Sequence, residues 1–180
     1  MRILAISGSL RAQSTNTALL RAAALVASSP IDIVLYEQME TLPPFNPDLD
    51  LEPGSEAVSR FRVALRDCSA VIFSTPESAH GIPGSLKNAL DWVVGSGELS
   101  RKPVALINAS ARGEYAQAAL REVLKTMDAR VVSDAEVTVP LLGKGLNAEQ
   151  IAADPQFADL IKSSLLKVAA KASQSPPALG

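Results

Sequence analysis

The sequence predicts a doubly wound α/β fold: a five-stranded parallel sheet, strand order 2-1-3-4-5, with helices on both faces. Three observations predict it. Short apolar runs alternate with longer amphipathic runs along most of the chain, the pattern of strands buried on both faces and of the crossover helices that cover them. The chain has 180 residues, enough for five such units around one core. Hydrophobic residues make up 47% and charged residues 20%, a balance that suits a folded core rather than a disordered chain.

Each element has its own justification. "RILAIS" (2–7) is a short, nearly unbroken apolar run and reads as the first strand. "TNTALLRAAALVASS" (15–29) carries apolar residues at helical spacing behind small polar caps. "IDIVLYE" (31–37) is the second strand, and residues 38–53, with four prolines, form a loop. "SEAVSRFRVALRDC" (55–68) is helical and "SAVIFST" (69–75) is the third strand. A loop with two prolines and two glycines (76–84) leads to the helix "SLKNALDWVVG" (85–95), with Pro83 placed at a helix start. "KPVALINAS" (102–110) is the fourth strand, "EYAQAALREVLKTMDA" (114–129) a helix and "RVVSDAEVTVP" (130–140) the fifth strand. Residues 147–172 supply one or two last helices, broken at Pro155. One domain over 1–172 and a disordered tail over 173–180 are expected. The strand order and length suit a flavodoxin-like arrangement.

Composition narrows the function classes. The net charge is −2, with both signs mixed along the chain, so no basic block points to nucleic acid and no cationic face to a membrane. No apolar run approaches the ~18 residues of a spanning helix, and Met1 runs straight into the first strand without a signal-peptide pattern. The single cysteine, Cys68, has no internal disulfide partner, so a reducing cytoplasm is the expected location. It reads as buried filler rather than as a reactive thiolate.

Doubly wound sheets bind ligands outside the carboxyl ends of their strands, near the switch in strand order. Here that selects the loops 8–16, 76–84 and 109–114. The first, within "ISGSLRAQSTN" (6–16), gathers Ser9, Ser14, Thr15 and Asn16 as short donors, with Arg11 as a fixed cation, at a helix mouth. Free backbone N–H groups and the helix dipole favour an anion there, and one guanidinium with several neutral donors suits a terminal phosphate. A plain capping loop would use the same small residues. The stretch is neither a Walker-type P-loop nor a G-x-G-x-x-G fingerprint.

"GSLRAQSTN" (8–16), "TPESAHGIPGSLKNALDW" (75–92) and "NASARG" (108–113) together resemble the NADPH-dependent FMN reductase family, with "PGSLKNALDW" (83–92) the strongest part. The likeness extends to about residue 140. It implies an enzyme with bound FMN, NADPH or NADH as co-substrate, and a small-molecule acceptor: a quinone, a flavin, an azo dye or a metal oxyanion. It implies that Ser9, Arg11, Ser14, Thr15 and Asn16 grip the FMN phosphate. By the same likeness Pro76, Glu77, Ser78 and Ala79 run beside the cofactor, and Ser110 is a flavin neighbour. It also implies a homodimer or homotetramer, with the Trp92 helix as the expected contact; Trp92 itself reads as core or interface.

The chain departs from the family pattern in two places. The family commonly reads T-P-E-Y-N where this chain has Ser78 and Ala79, so a large aromatic beside the cofactor is missing. The paired glycines usual in the third loop are reduced to Gly113. These departures keep a second class open, a non-catalytic flavin- or nucleotide-binding regulatory protein of the same fold, and a third, a doubly wound domain for another phosphorylated small molecule. His80, the only histidine, reads either as a proton donor or as an ordinary loop residue, and no metal-ligand set surrounds it. Glu77 suits loop fixation, Lys87 and Asp91 suit an i,i+4 pair, and Arg112 suits either an NADPH phosphate or solvent. No side chain is expected to act as a nucleophile, since the cofactor would carry the chemistry.

Overall fold

The computed structural model describes residues 1–51 and 54–174. β1 (Arg2–Ser7) pairs in parallel with β2 (Asp32–Leu35) on one side and β3 (Ala70–Ser74) on the other. β3 then pairs with β4 (Pro103–Asn108), giving the order β2-β1-β3-β4 followed by β5 (Arg130–Val131). The expected order 2-1-3-4-5 is therefore the observed one.

The strands read as unbroken apolar runs because both faces are covered. Ile3, Ala5, Ile72, Ala105 and Ile107 join one core cluster, while Leu4, Ile6, Val71, Phe73, Val104 and Leu106 join the other. Successive side chains point to opposite faces, so consecutive residues must all be apolar. The first cluster is closed by α1 (Thr15–Val26), α5 (Ala148–Ala153) and α6 (Pro155–Ser173), the second by α2 (Glu56–Arg66), α3 (Gly84–Val94) and α4 (Glu114–Thr126). In α1, Leu19, Leu20, Ala22 and Ala23 are buried and Ser14 caps the start, its Oγ accepting from the Thr17 amide at 3.2 Å. Asp154 caps α6 through the Gln156 and Phe157 amides, with Pro155 in its first turn.

The fifth strand differs from its sequence expectation. Instead of one strand over 130–140, two short strands, β5 and β6 (Val137–Thr138), both pair with β4, and a 3-10 turn over Ser133–Ala135 separates them. The turn forms because Ser133 and Asp134 favour turns and Ala135 fits a fully buried site. Its carbonyl accepts the Ser164 hydroxyl of α6, which pins the break. α6 runs through Ser173, the first residue of the expected tail; 175–180 of that tail lie outside the described residues, as do 52–53 of the proline loop.

The proline loop is fastened to α3. Asn88 accepts from the Phe45 amide at 2.7 Å and donates to the Pro43 carbonyl at 2.9 Å, where Trp92 Nε1 also donates at 2.8 Å. Trp92 is therefore core, 1% exposed, with the Phe45 ring set edge-on against it. Lys87 and Asp91 form the expected i,i+4 ion pair. Cys68 is buried and donates to the Leu65 carbonyl; burial pushes its thiol up, outweighing the pull of the Lys102 ammonium. Among the described residues no helix is long and apolar enough to cross a membrane.

Gly8 is where two layers come closest: a Cβ on it would lie 2.2 Å from Thr75 Oγ1 and 2.7 Å from Thr75 Cβ. Gly8→Ala should cost about 1–3 kcal/mol by urea unfolding, the usual overpacking range, with Thr75→Ala recovering part of the loss; full stability in the single variant would contradict the close packing. Cys68 should resist alkylation at mildly alkaline pH in the native protein and react once urea unfolds it, as read by mass spectrometry.

Candidate functional site

The carboxyl ends of β1, β3 and β4 open on one cleft of about 390 Å³. Three loops, far apart in sequence, line it. Ser9, Arg11, Ser14, Thr15 and Asn16 come from the loop and helix start after β1; Pro76 and Glu77 follow β3; Ser110 follows β4. The doubly wound topology brings these expected residues together because all three strands run parallel and end on the same side.

The first loop is organised by its own hydroxyls. Ser7 Oγ accepts from the Ser9 amide at 3.2 Å and meets Thr17 Oγ1 at 2.8 Å. Ser9 Oγ accepts from the Arg11 amide at 3.3 Å, and Ser14 caps α1. Both hydroxyls thus use lone pairs on the backbone and keep a hydrogen to donate. Asn16 Oδ1 accepts from Ser74 Oγ at 2.9 Å, which leaves the amide nitrogen as the group available to a ligand. Arg11 is exposed and has no ion-pair partner among the described residues. The first amides of α1 have no intrahelical acceptor, as at any helix start. Capping and donors open to a ligand therefore coexist in this loop.

The second loop is tied to α4. Glu77 Oε2 accepts from the Tyr115 and Ala116 amides at 3.0 and 3.2 Å. Gly113, at the start of α4, offers no side-chain cap, so a carboxylate from another loop performs that task and favours the helix dipole. This is the loop-fixing role its chemistry suggests. Ser78 and Gly81 exchange backbone hydrogen bonds of 2.9 Å, closing a two-residue turn with Ala79 and His80 at φ 47° and 59°. The His80 ring stacks on Tyr115 at 4.3 Å and 13°. Ser78, Ala79 and His80 are exposed and are not among the cleft-lining residues. No group of three or more His, Cys, Asp or Glu side chains suited to a metal ion occurs among the described residues.

At the third loop Ser110 Oγ accepts from the Arg112 amide at 3.0 Å, and Arg112 itself is exposed at the cleft. Ala109 lies in the expected third loop; sequence reasoning missed Thr75, Asn108, Gln117 and Leu142 as lining residues. Gln117 did leave a signal: it is a polar residue in the buried stripe of α4 that also holds Ala116, Leu120 and Leu124. It is 6% exposed, and its Oε1 has no hydrogen-bond partner.

The donor set suits a mononucleotide. One end of the cleft gathers a guanidinium, hydroxyls and a helix start. Pro76, Ala109 and Gly113, of little side-chain bulk, also line it, and the whole falls within the size of ordinary small-ligand sites. A second hollow of about 330 Å³ lies across the first loop, over β2, with Glu37 and Glu40 in its lining. Those carboxylates make it the poorer anion seat.

Comparison with known proteins agrees with this geometry. A family model for NADPH-dependent FMN reductases matches residues 1–142. An NAD(P)H-dependent FMN reductase of Pseudomonas aeruginosa is 33% identical over 171 residues, covering 92% of this chain and 91% of that protein. A probable NADPH:quinone oxidoreductase of Oryza sativa subsp. japonica is 31% identical over 184 residues, covering 94% and 88%. Among solved structures, the flavoenzyme NAD(P)H:(acceptor) oxidoreductase FerB of Paracoccus denitrificans superposes with a TM-score of 0.73 at 24% identity, over 94% of this chain and 98% of that one, a likeness of fold. With its sheet order, its three-loop cleft and a match over most of its length, the chain belongs to the NADPH-dependent FMN reductase family.

Proposed function

We propose that the protein is an FMN-dependent NAD(P)H reductase that passes electrons to a quinone-type acceptor. The observation that carries the proposal is the convergence of the donor-rich first loop with Pro76, Glu77 and Ser110 on one cleft. Ser9, Arg11, Ser14, Thr15 and Asn16 hold the phosphate end. Pro76 and Ser110 flank the ring end, and Glu77 acts through α4, fixing the loop that borders the ring. Bound FMN would supply the redox chemistry, accepting a hydride from NAD(P)H and passing electrons on. The side chains bind and orient; none is asked to be a nucleophile. Ser78 and Ala79 are exposed and outside the cleft lining, and they supply no large aromatic there. The quinone class is supported by the names of relatives, among them a quinone reductase of Pseudomonas putida that is 36% identical over 132 residues. Flavins, azo dyes and metal oxyanions are further acceptors to assay.

The Ser78–Ala79 departure favours a second reading, a flavin-binding protein without turnover. NADPH and NADH oxidation with a quinone panel separates the two. Steady turnover with ping-pong kinetics is expected; bound FMN without turnover would sink the reductase proposal. We further propose a homodimer or homotetramer in a reducing cytoplasm. Phe45, Leu49, Leu51 and Val94 are exposed large apolar residues on α3 and the loop packed on it, and they suit a subunit contact. Sedimentation as a monomer at working concentration would contradict that assembly.

Arg11→Ala should raise the FMN dissociation constant about 10- to 100-fold, the worth of a charge-assisted hydrogen bond, with an unchanged circular dichroism spectrum. An unchanged constant would remove Arg11 from the phosphate seat.

A further inference from the structure

Resting on the flavin proposal above, we infer that Gln117 is the acceptor for the ring N–H of the flavin's pyrimidine edge, and that it selects ligands presenting a donor there. Buried side-chain oxygens are nearly always hydrogen-bonded, so each exception asks for a missing partner. Gln117 is such an exception: 6% exposed, its Oε1 without a partner, and part of the cleft wall. Its backbone is already served, since its amide donates to the Gly113 carbonyl at 3.0 Å. Its side-chain oxygen is buried and has no partner.

Neighbouring groups do not fill the need. The Ser110 hydroxyl on the adjoining loop accepts from the Arg112 amide, Ala109, Gly113 and Leu142 carry no side-chain donor, and no hydrogen bond from any neighbour reaches Gln117 Oε1. With the oxygen unpartnered in the cleft wall, the partner assigned to it is a donor brought by the ligand. An oxidised isoalloxazine ring carries a single N–H, at N3, between two carbonyl groups; its other polar edge atoms are acceptors. An unpartnered acceptor in the wall matches that one atom. With the phosphate held at the first loop, a pyrimidine edge turned toward α4 also fixes which way round the ring lies in the slot.

Apo protein, full chain, is titrated with FMN and with 3-methyl-FMN, whose methyl group replaces the N3 hydrogen, and binding is followed by flavin fluorescence. Wild type should bind FMN about tenfold more tightly than 3-methyl-FMN, the worth of one hydrogen bond to a buried acceptor. Gln117→Leu should bind both alike, and Gln117→Glu, which keeps an acceptor, should still prefer FMN. Equal affinities in wild type, or a preference for FMN that survives in Gln117→Leu, would overturn the inference while leaving the flavin site standing. Failure of wild type to bind FMN at all would overturn the flavin proposal itself, and the inference with it. The wild-type comparison needs no variant to fold.

Discussion

Gly8 donates its amide hydrogen to the Ser74 carbonyl at 2.9 Å, and the space beside its Cα is already filled by Thr75. The rest of the cleft depends on that approach. It brings the end of β1 against the end of β3, so the loops that leave them start from one point and diverge across the same opening. Ser74 then reaches over with its hydroxyl to Asn16, at the start of α1, and fixes the helix mouth relative to the sheet. A residue with a side chain at position 8 would push the two strand ends apart and widen the place where small donors must converge on one anion. Glycine is needed here for room and not for an unusual backbone angle, since no positive φ occurs at this position.

A second set of ties fixes the other side. The Glu77 carboxylate takes the place of a cap on α4, and the His80 ring lies flat on Tyr115, in the first turn of the same helix. Between these anchors Ala79 and His80 adopt left-handed backbone, which costs non-glycine residues about 1–2 kcal/mol each. The reciprocal Ser78–Gly81 hydrogen bonds and the ring stack offset that cost. The only histidine therefore serves as a fastener between loop and helix, outside the cleft lining, and Glu77 acts on backbone amides rather than on a substrate.

Much of the fold was legible because the sheet is covered on both faces, which forces continuous apolar runs that stand out from the amphipathic helices. The split fifth strand was not legible, because a run such as "VVSDAEV" keeps strand composition at both ends and the break depends on Ser164, 29 residues beyond Ala135 in the chain. The first loop was legible for a local reason: small donors and an arginine at one helix start. Leu142 was not, since it enters the cleft only through the stacking of distant segments. Gln117 stood in plain view as a polar residue on a buried helical stripe, yet such a residue reads equally well as a satisfied core amide until its oxygen is found without a partner.

The distribution of chemistry in the cleft has a consequence for how a ligand lies in it. Donors crowd one end: the Arg11 guanidinium, the Ser9 and Ser14 hydroxyls, the Asn16 amide and the helix start. A buried acceptor, Gln117 Oε1, stands on the wall contributed by α4. A ligand entering backwards would set its anion against an unpartnered oxygen and leave the guanidinium unmatched, losing at both ends. The site thus discriminates orientation by charge and hydrogen-bond polarity rather than by shape, which suits a slot walled by proline, alanine and glycine. Residues of such small bulk keep the cleft roomy, which would suit a bound flavin that must be reached in turn by a nicotinamide and an acceptor.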